Sequence, residues 1–119
     1  MASMRLDAAR QFALSLPETT EEPHFEKSSF RVKGKIFATV PQDGEHLHVV
    51  VDPLEHAALL AGDAAAYEEI VWGKQVKVDW IRVNLPAADE SEVLELLEDA
   101  WRAKAPKRVR DAYDAMPRR

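Results

Sequence analysis

The stretch 28-SSFRVKGKIFATV-40 predicts the hairpin on which the fold of this protein depends. Apolar Phe30 and Val32 alternate with polar residues, which is the period-two pattern of a half-buried strand. Gly34 lies at the point of reversal, where a positive φ costs glycine least. The returning segment 36–40 is apolar on both faces and therefore predicts a central strand.

The register of this hairpin has two solutions in the sequence. A two-residue turn at Lys33 and Gly34 pairs Phe30 with Phe37, whereas a longer turn pairs Phe30 with Ala38. Both remain open at this point.

The segment before the hairpin divides into a helix and a connector. Apolar residues at helical spacing predict an amphipathic helix from Ser3 to Ser15, which Pro17 ends because its ring clashes with a continuing helix. Residues 18–26 are acidic and have no periodicity, so we expect an irregular connector there.

A third strand and a short helix follow the hairpin. Asp43-Gly44 marks a turn, and alternating residues from His46 to Val51 predict a strand that continues the meander. Asp52 is suited to cap a helix that runs to about Ala61 and ends at Gly62. We expect another short helical turn over residues 63–69.

Residues 70–85 have β character, but their phase changes midway. Val76, Val78 and Trp80 share one face, while Ile81, Val83 and Leu85 share the other. A bulge or loop near Asp79, or two short strands, would explain the change.

The C-terminal third predicts two helices. Asp89 is suited to cap the first, whose buried stripe should pack on the sheet with Phe30, Ile36, Ala38 and Val49. That stripe consists of Val93, Leu96, Leu97, Ala100 and Trp101. Pro106 starts a final helix bearing Val109, Ala112, Tyr113 and Met116. The whole order predicts an α+β fold, an antiparallel sheet meander with helices packed on one face.

Composition limits the class of protein. A chain of 119 residues with 46% hydrophobic and 31% charged residues is typical of one globular domain, here 1–119. The absence of cysteine excludes disulfides, zinc–thiolate sites and thiol nucleophiles. We expect no signal peptide and no membrane span, and hence a cytoplasmic protein.

The charge of the chain is polarised along the sequence. Residues 100–119 hold seven Lys or Arg against Asp111 and Asp114, a net charge of +5. Because the whole chain carries −5, the preceding residues carry −10. An overall negative charge argues against indiscriminate coating of nucleic acid.

Four segments resemble the MmcQ/YjbR family of small bacterial proteins: 14-LSLP-17, 30-FRVKGKIFA-38, 80-WIRVNL-85 and 100-AWRAKAPKR-108. The resemblance implies a compact α+β "double wing" fold for which DNA binding has been proposed, and it supplies no catalytic residues. Residues 71–79 depart most from the family pattern.

Basic residues of the hairpin and of the later β region form the first candidate site. They are Lys27, Arg31, Lys33, Lys35, Lys74, Lys77 and Arg82. On one face they would bind phosphates, and Phe30 with Trp72 or Trp80 would add stacking if exposed. Alternatively, the charges protect a hairpin and an edge strand from aggregation.

A second cationic cluster follows Pro106. Lys107, Arg108 and Arg110 at a helix start predict an anion site, because free N–H groups and positive charge converge there. The alternative is local neutralisation by Glu95, Glu98 and Asp99.

Histidines and acids supply weaker candidates. His46 and His48 lie two apart on one predicted strand, with Asp52 and His56 following, a spacing that can share a metal. We favour outward histidines on a solvated strand face, and a solvated loop for the acids around His24. We therefore assign no metal and no cofactor.

The sequence favours a non-enzymatic binding module. We expect weak, salt-sensitive contact with nucleic acid or another polyanion, because no nucleophile–base pair, P-loop or dinucleotide fingerprint is present. If the hairpin projects as a wing, replacing Lys33 and Lys35 by Glu should weaken binding to duplex DNA. The alternatives are a protein-interaction module, binding a partner or a second copy, and a small-ligand or metal-binding protein.

Overall fold

A computed structural model describes residues 5–117 as one antiparallel sheet covered on one face by helices. In chain order the elements are α1 (Leu6–Ser15), β1 (Thr19–His24), β2 (Lys27–Val32), β3 (Lys35–Val40), β4 (His46–Val50), α2 (Pro53–Gly62), β5 (Tyr67–Glu68), β6 (Val71–Trp72), β7 (Gln75–Val76), β8 (Trp80–Asn84), a 3₁₀ turn (Leu85–Ala87), α3 (Glu90–Lys104) and α4 (Lys107–Asp114). None of these helices is both long and apolar enough to cross a bilayer.

The six-stranded sheet has the order β1-β2-β3-β4-β8-β5, and every neighbouring pair is antiparallel. Strands β1 to β4 form the meander, and β8 then returns beside β4. Strands β6 and β7 pair only with each other, as a small hairpin outside this sheet. The predicted α+β class and antiparallel meander are confirmed.

A β-bulge reconciles the two registers of the central hairpin. The turn has two residues, Lys33 and Gly34, with φ of 49° and 83°, and Val32 pairs with Lys35. Phe30 nevertheless pairs with Ala38, because the register shifts between Phe30 and Arg31. Phe37 is the extra residue of the bulge.

The bulge also changes the face of one predicted core residue. Ile36 pairs with Arg31, whose side chain points away from the core, while Phe37 and Ala38 are both fully buried. The expectation that Ile36 packs beneath α3 was therefore wrong. Strict alternation places it inside, but one inserted residue reverses the alternation.

Helix α3 packs on β3 and β4 and buries the predicted stripe of Val93, Leu96, Leu97, Ala100 and Trp101. Asp89 accepts a hydrogen bond from the Glu92 N–H (3.3 Å), and Asp52 accepts one from the Glu55 N–H (2.8 Å), so both predicted N-caps are present. Helix α1 adds Ala9 and Ala13 to the same core. Its predicted start at Ser3 lies outside the described residues.

The segment predicted as an acidic connector is strand β1 instead. Its sequence, TTEEPH, is polar because the strand lies at the sheet edge and only part of it faces other elements. Glu21 faces α1, where it accepts hydrogen bonds from Arg10 (2.9 Å) and Ser28 (2.6 Å). Burial opposes ionisation of Glu21, but these bonds outweigh it and hold its pKa below the usual range.

The segment 63–69 also differs from the expected helical turn. After a turn, Tyr67 and Glu68 form the opposite edge strand, and Tyr67 is buried with its hydroxyl donating to Glu92 (2.8 Å). The β segment 70–85 consists of the small hairpin and β8, which is closest to the two-strand alternative. In α4, Val109 is buried and Tyr113 half-buried, but Ala112 is exposed, as is Met116, which follows the end of the helix.

Candidate functional site

The sheet face that carries no helix, here called the outer face, contains a cavity of about 170 Å³. Its floor comes from the sheet, one wall comes from the β1–β2 turn region, and the small hairpin lies over it. The lining residues are His24, Lys27, Ile36, Thr39, His48, Ile70, Trp72, Lys77 and Trp80. The cavity is thus lined by residues of strands β1 to β4 and by residues of the later segment 70–80.

The small hairpin is built by its own turn and anchored at its base. Gly73, with φ of 61°, and Lys74 connect Trp72 to Gln75. The Lys77 N–H donates to the Ile70 carbonyl (2.8 Å), which closes the base. The Lys77 ammonium lies 5.9 Å from the centroid of the Trp72 ring, within cation–π range.

His48 is buried beneath the cavity with 8% of its surface exposed. Its Nε2 accepts a hydrogen bond from Arg82 (3.0 Å), because a guanidinium can only donate. Arg82 donates in turn to Asp43 (3.2 Å), which also bonds His46 Nδ1 (2.8 Å). His48, which lines the cavity, is therefore connected through Arg82 to Asp43 and His46.

This environment keeps His48 uncharged. Burial is the main cause, and the charges of Lys27 and Arg82 add to it, lowering the pKa of His48 to about 4. The expectation of outward, solvated histidines was wrong for His48. Period-two alternation identified its face, but the sequence did not reveal that the small hairpin and Arg82 cover that face.

The cavity carries unbalanced positive charge. Lys27 and Lys77 both line it, no carboxylate does so among residues 5–117, and neither lysine has an ion-pair partner in that range. Lys33, by contrast, lies 3.6 Å from Glu18. An anionic group entering the cavity would meet two free ammonium groups.

The structure brings only some of the predicted cationic residues together. Lys27 and Lys77 line the cavity, whereas Arg82 does not line it and is bonded to His48 and Asp43. Arg31 lies on the outer face and bonds Ser29 Oγ (3.0 Å) and the Pro23 carbonyl (3.3 Å). Lys74 is exposed at the tip of the small hairpin.

The remaining cationic residues lie elsewhere. Lys33 lies in the β2–β3 turn and Lys35 directly follows it, a strand's length from Lys27. Lys107 and Arg108 begin α4 in the helical layer, on the other side of the sheet. Lys107 pairs there with Asp111 of its own helix, rather than with the acids of α3.

Sequence reasoning missed Phe25, which the acidic segment 18–26 contains as an isolated aromatic residue. Phe25 begins the two-residue β1–β2 turn with φ of 57° and is 94% exposed. Its ring centroid lies 4.8 Å from that of His24, which lines the cavity. Phe30, considered above for stacking, is fully buried, while Trp72 is 67% exposed.

Residues 5–117 contain no metal site, because no group of three or more His, Asp or Glu residues in that range could hold a metal ion. His56 is buried in α2, and Asp52 caps that helix.

Comparison with known proteins identifies the family. The YjbR family profile matches residues 14–103. The fold is similar to the crystal structure of Deinococcus radiodurans protein DR2400, which contains a DUF419 domain, with a TM-score of 0.74 and 21% identity over 97% of this chain and 91% of that one. No curated protein matches the sequence significantly. Because the matched region covers most of the chain, this protein belongs to the YjbR family.

Proposed function

We propose that this protein is a non-enzymatic binding module that contacts nucleic acid through the outer face around the cavity. The observation that carries the proposal is the shared placement of Lys27 and Lys77 with Trp72 and Trp80. Free ammonium groups attract phosphates, and aromatic rings stack on bases.

Electrostatics supports modest and salt-sensitive binding. Each lysine that contacts a phosphate releases condensed counterions, so affinity should fall as salt rises. The net charge of −5 repels the same phosphates at longer range. Both effects favour binding that depends on a local cationic site rather than on the overall charge.

A catalytic role has no support at this cavity. Among the described residues that line the cavity, only Thr39 and His48 place a hydroxyl group opposite an imidazole on paired strands. The Nε2 atom of His48, however, already accepts a hydrogen bond from Arg82. Its low pKa makes it a poor base near neutral pH. We therefore expect no turnover of bound nucleic acid.

The alternative is a protein-interaction module. Val71, Trp72, Val76 and Val78 expose apolar surface on and beside the small hairpin, which would suit a protein partner. The charge polarity gives that alternative less support, because Arg102 and Lys107 pair with Asp114 and Asp111 within the helical layer.

Binding of labelled DNA at several salt concentrations tests the proposal. The double variant Lys27→Glu/Lys77→Glu should weaken binding and reduce the salt slope by about 0.7 to 0.9 for each lost phosphate contact. Lys107→Glu/Arg108→Glu is the matched control, with the same charge change at the start of α4 in the helical layer. Equal binding by the double variant and the control would contradict the proposal.

A second double variant tests the hairpin tip. If Lys33→Glu/Lys35→Glu weakens binding while Lys27→Glu/Lys77→Glu does not, the contact surface is the β2–β3 turn rather than the cavity. Loss in both variants would extend the surface along the whole hairpin. Absence of binding by the parent at low salt would favour the protein-interaction alternative.

A further inference from the structure

We infer that the rim of the cavity is a stacking site for unpaired bases, formed by Phe25 and Trp72, and that the preferred ligand is single-stranded nucleic acid. This inference rests on the proposed function and specifies its ligand. Trp72, in the small hairpin, lines the cavity, and Phe25, in the β1–β2 turn, contacts His24, which also lines it.

Phe25 has no structural reason to occupy its position. The first residue of a two-residue turn with positive φ favours glycine, and a bulky side chain there is a conformational outlier. Its ring is 94% exposed and contributes nothing to the core. An exposed aromatic ring held in a strained turn beside a cavity is typical of a ligand contact.

The contact between Phe25 and His24 places the Phe25 ring beside a residue that lines the cavity. The two rings meet edge to face, with an interplanar angle of 67°, and His24 itself lines the cavity. Phe25 thereby lies one residue from the wall that also contains Lys27. A base on Phe25 would bring its phosphate close to that lysine.

Trp72 provides the second ring. It is 67% exposed although it lines the cavity, so most of its surface meets solvent. The Lys77 ammonium lies 5.9 Å from the centroid of this ring, so the two form a cationic and aromatic pair at the cavity. Aromatic rings alternating with cations are the arrangement by which proteins hold single strands without reading sequence.

The size of the cavity and the stacking of duplex DNA both favour an unpaired strand. Pockets that enclose a small molecule usually have volumes of about 300 to 1,000 Å³. This one, at about 170 Å³, is too small to enclose a whole nucleotide and suits a ligand held at the rim. Bases inside a duplex have their faces covered by neighbouring bases, so exposed rings can stack only on unpaired ones.

Glu26 tests the electrostatic part of the inference. It follows Phe25 in the same turn and is exposed, so its carboxylate would repel a phosphate next to the stacked base. Glu26→Gln should therefore strengthen binding to a single strand, and the increase should vanish at high salt. Unchanged binding would place the strand away from this turn and overturn the assignment of Phe25.

The main experiment compares a labelled oligothymidine with a duplex of the same length. The parent should bind the single strand more tightly. Phe25→Gly and Trp72→Ala should each reduce single-strand affinity roughly tenfold, since one stacked base is lost, and leave duplex binding unchanged. Phe25→Gly suits the turn conformation, so its thermal unfolding serves as the folding control.

The outcomes separate the inference from the proposed function. If Lys27→Glu/Lys77→Glu weakens binding but Phe25→Gly and Trp72→Ala do not, the stacking site is overturned and the cationic site stands. Equal affinity of the parent for both probes also overturns the stacking site. No binding to either probe at low salt overturns both proposals.

Discussion

The indole N–H of Trp101 donates a 2.9 Å hydrogen bond to the backbone carbonyl of Pro17, 84 positions earlier in the chain. Trp101 is fully buried in α3, and Pro17 begins the connection from α1 to β1. The bond therefore fixes the start of the sheet's first edge strand against the helix that covers the centre of the sheet. Tyr113 of α4 packs edge to face on the same ring at 5.0 Å.

Trp101→Ala should lower the free energy of unfolding by about 3 to 5 kcal/mol, because it removes the largest buried side chain. Trp101→Phe keeps much of the volume but leaves the Pro17 carbonyl without its donor, and should cost less than the alanine change. Urea unfolding of the three proteins measures both effects. A loss below about 1 kcal/mol in Trp101→Ala would contradict the packing described here.

The pH dependence of stability should contain a contribution from His48. Its pKa is about 4 in the folded protein and 6.5 is the ordinary value, so the unfolded chain binds more protons between these limits. Stability must then fall as pH decreases from about 6.5 to 4. The full difference amounts to roughly 3 kcal/mol.

His48→Gln isolates this contribution, because glutamine stays neutral and its carbonyl can accept from Arg82. The variant should lose less stability than the parent across the same pH window, although Asp43, His46, Lys27 and Arg82 still surround the position. Denaturant unfolding at successive pH values gives the comparison. Parallel curves for the two proteins would show that His48 does not titrate differently on folding.

Two glycines should respond oppositely to alanine. Gly34 has φ of 83°, where a Cβ is strained even though the space around it is empty. Gly34→Ala should destabilise the protein by about 1 kcal/mol. Gly62 ends α2 with ordinary φ and open space, so Gly62→Ala should be neutral or stabilise by up to about 1 kcal/mol. Thermal unfolding distinguishes the signs, and equal shifts would contradict the turn conformation.

His56 offers a stabilising substitution. It is 5% exposed in α2, and its Nε2 has no hydrogen-bond partner among the described residues. Replacing it with Leu removes the unsatisfied nitrogen and should raise the free energy of unfolding by about 1 kcal/mol. Urea midpoints of parent and variant provide the measurement. A destabilised variant would mean that the imidazole makes a polar contact that stabilises the fold.

The elements that could be predicted from the sequence are those in which apolar residues repeat regularly and cap or turn residues mark the ends. The stripe of α3 repeats over several turns and has a cap at Asp89, so the helix and its buried face were both predictable. The place of the turn and the central position of β3 followed from Gly34 and the apolar segment 36–40, whereas the sequence left the length of the turn and the register open.

The errors have physical causes in particular residues. Strand β1 has no apolar alternation, since its inward Glu21 is satisfied by Arg10 and Ser28 instead of by the core. The bulge inserts one residue, Phe37, and an inserted residue is not visible in the alternation of polar and apolar side chains. Because of this insertion, Ile36 lines the cavity.

The site was predicted only in part. Lys27, Lys77 and Arg82 were expected on one surface; Lys27 and Lys77 line one cavity, and Arg82 bonds to His48, which also lines it. Phe25 and the burial of His48 depend on how the β1–β2 turn and the small hairpin fold over the sheet. Contacts between segments that are distant in the chain leave no local pattern.

The alternation of side chains across the sheet separates the requirements of folding from those of recognition. In β2 and β3, Phe30 and Ala38 fill the core, while Lys27 and Thr39 border the cavity on the outer face. Substitutions of the exposed residues of the outer face, unlike those of the buried Thr39 and His48, should therefore cost little stability. This exposed surface can accordingly be varied or engineered while the core and the fold stay the same.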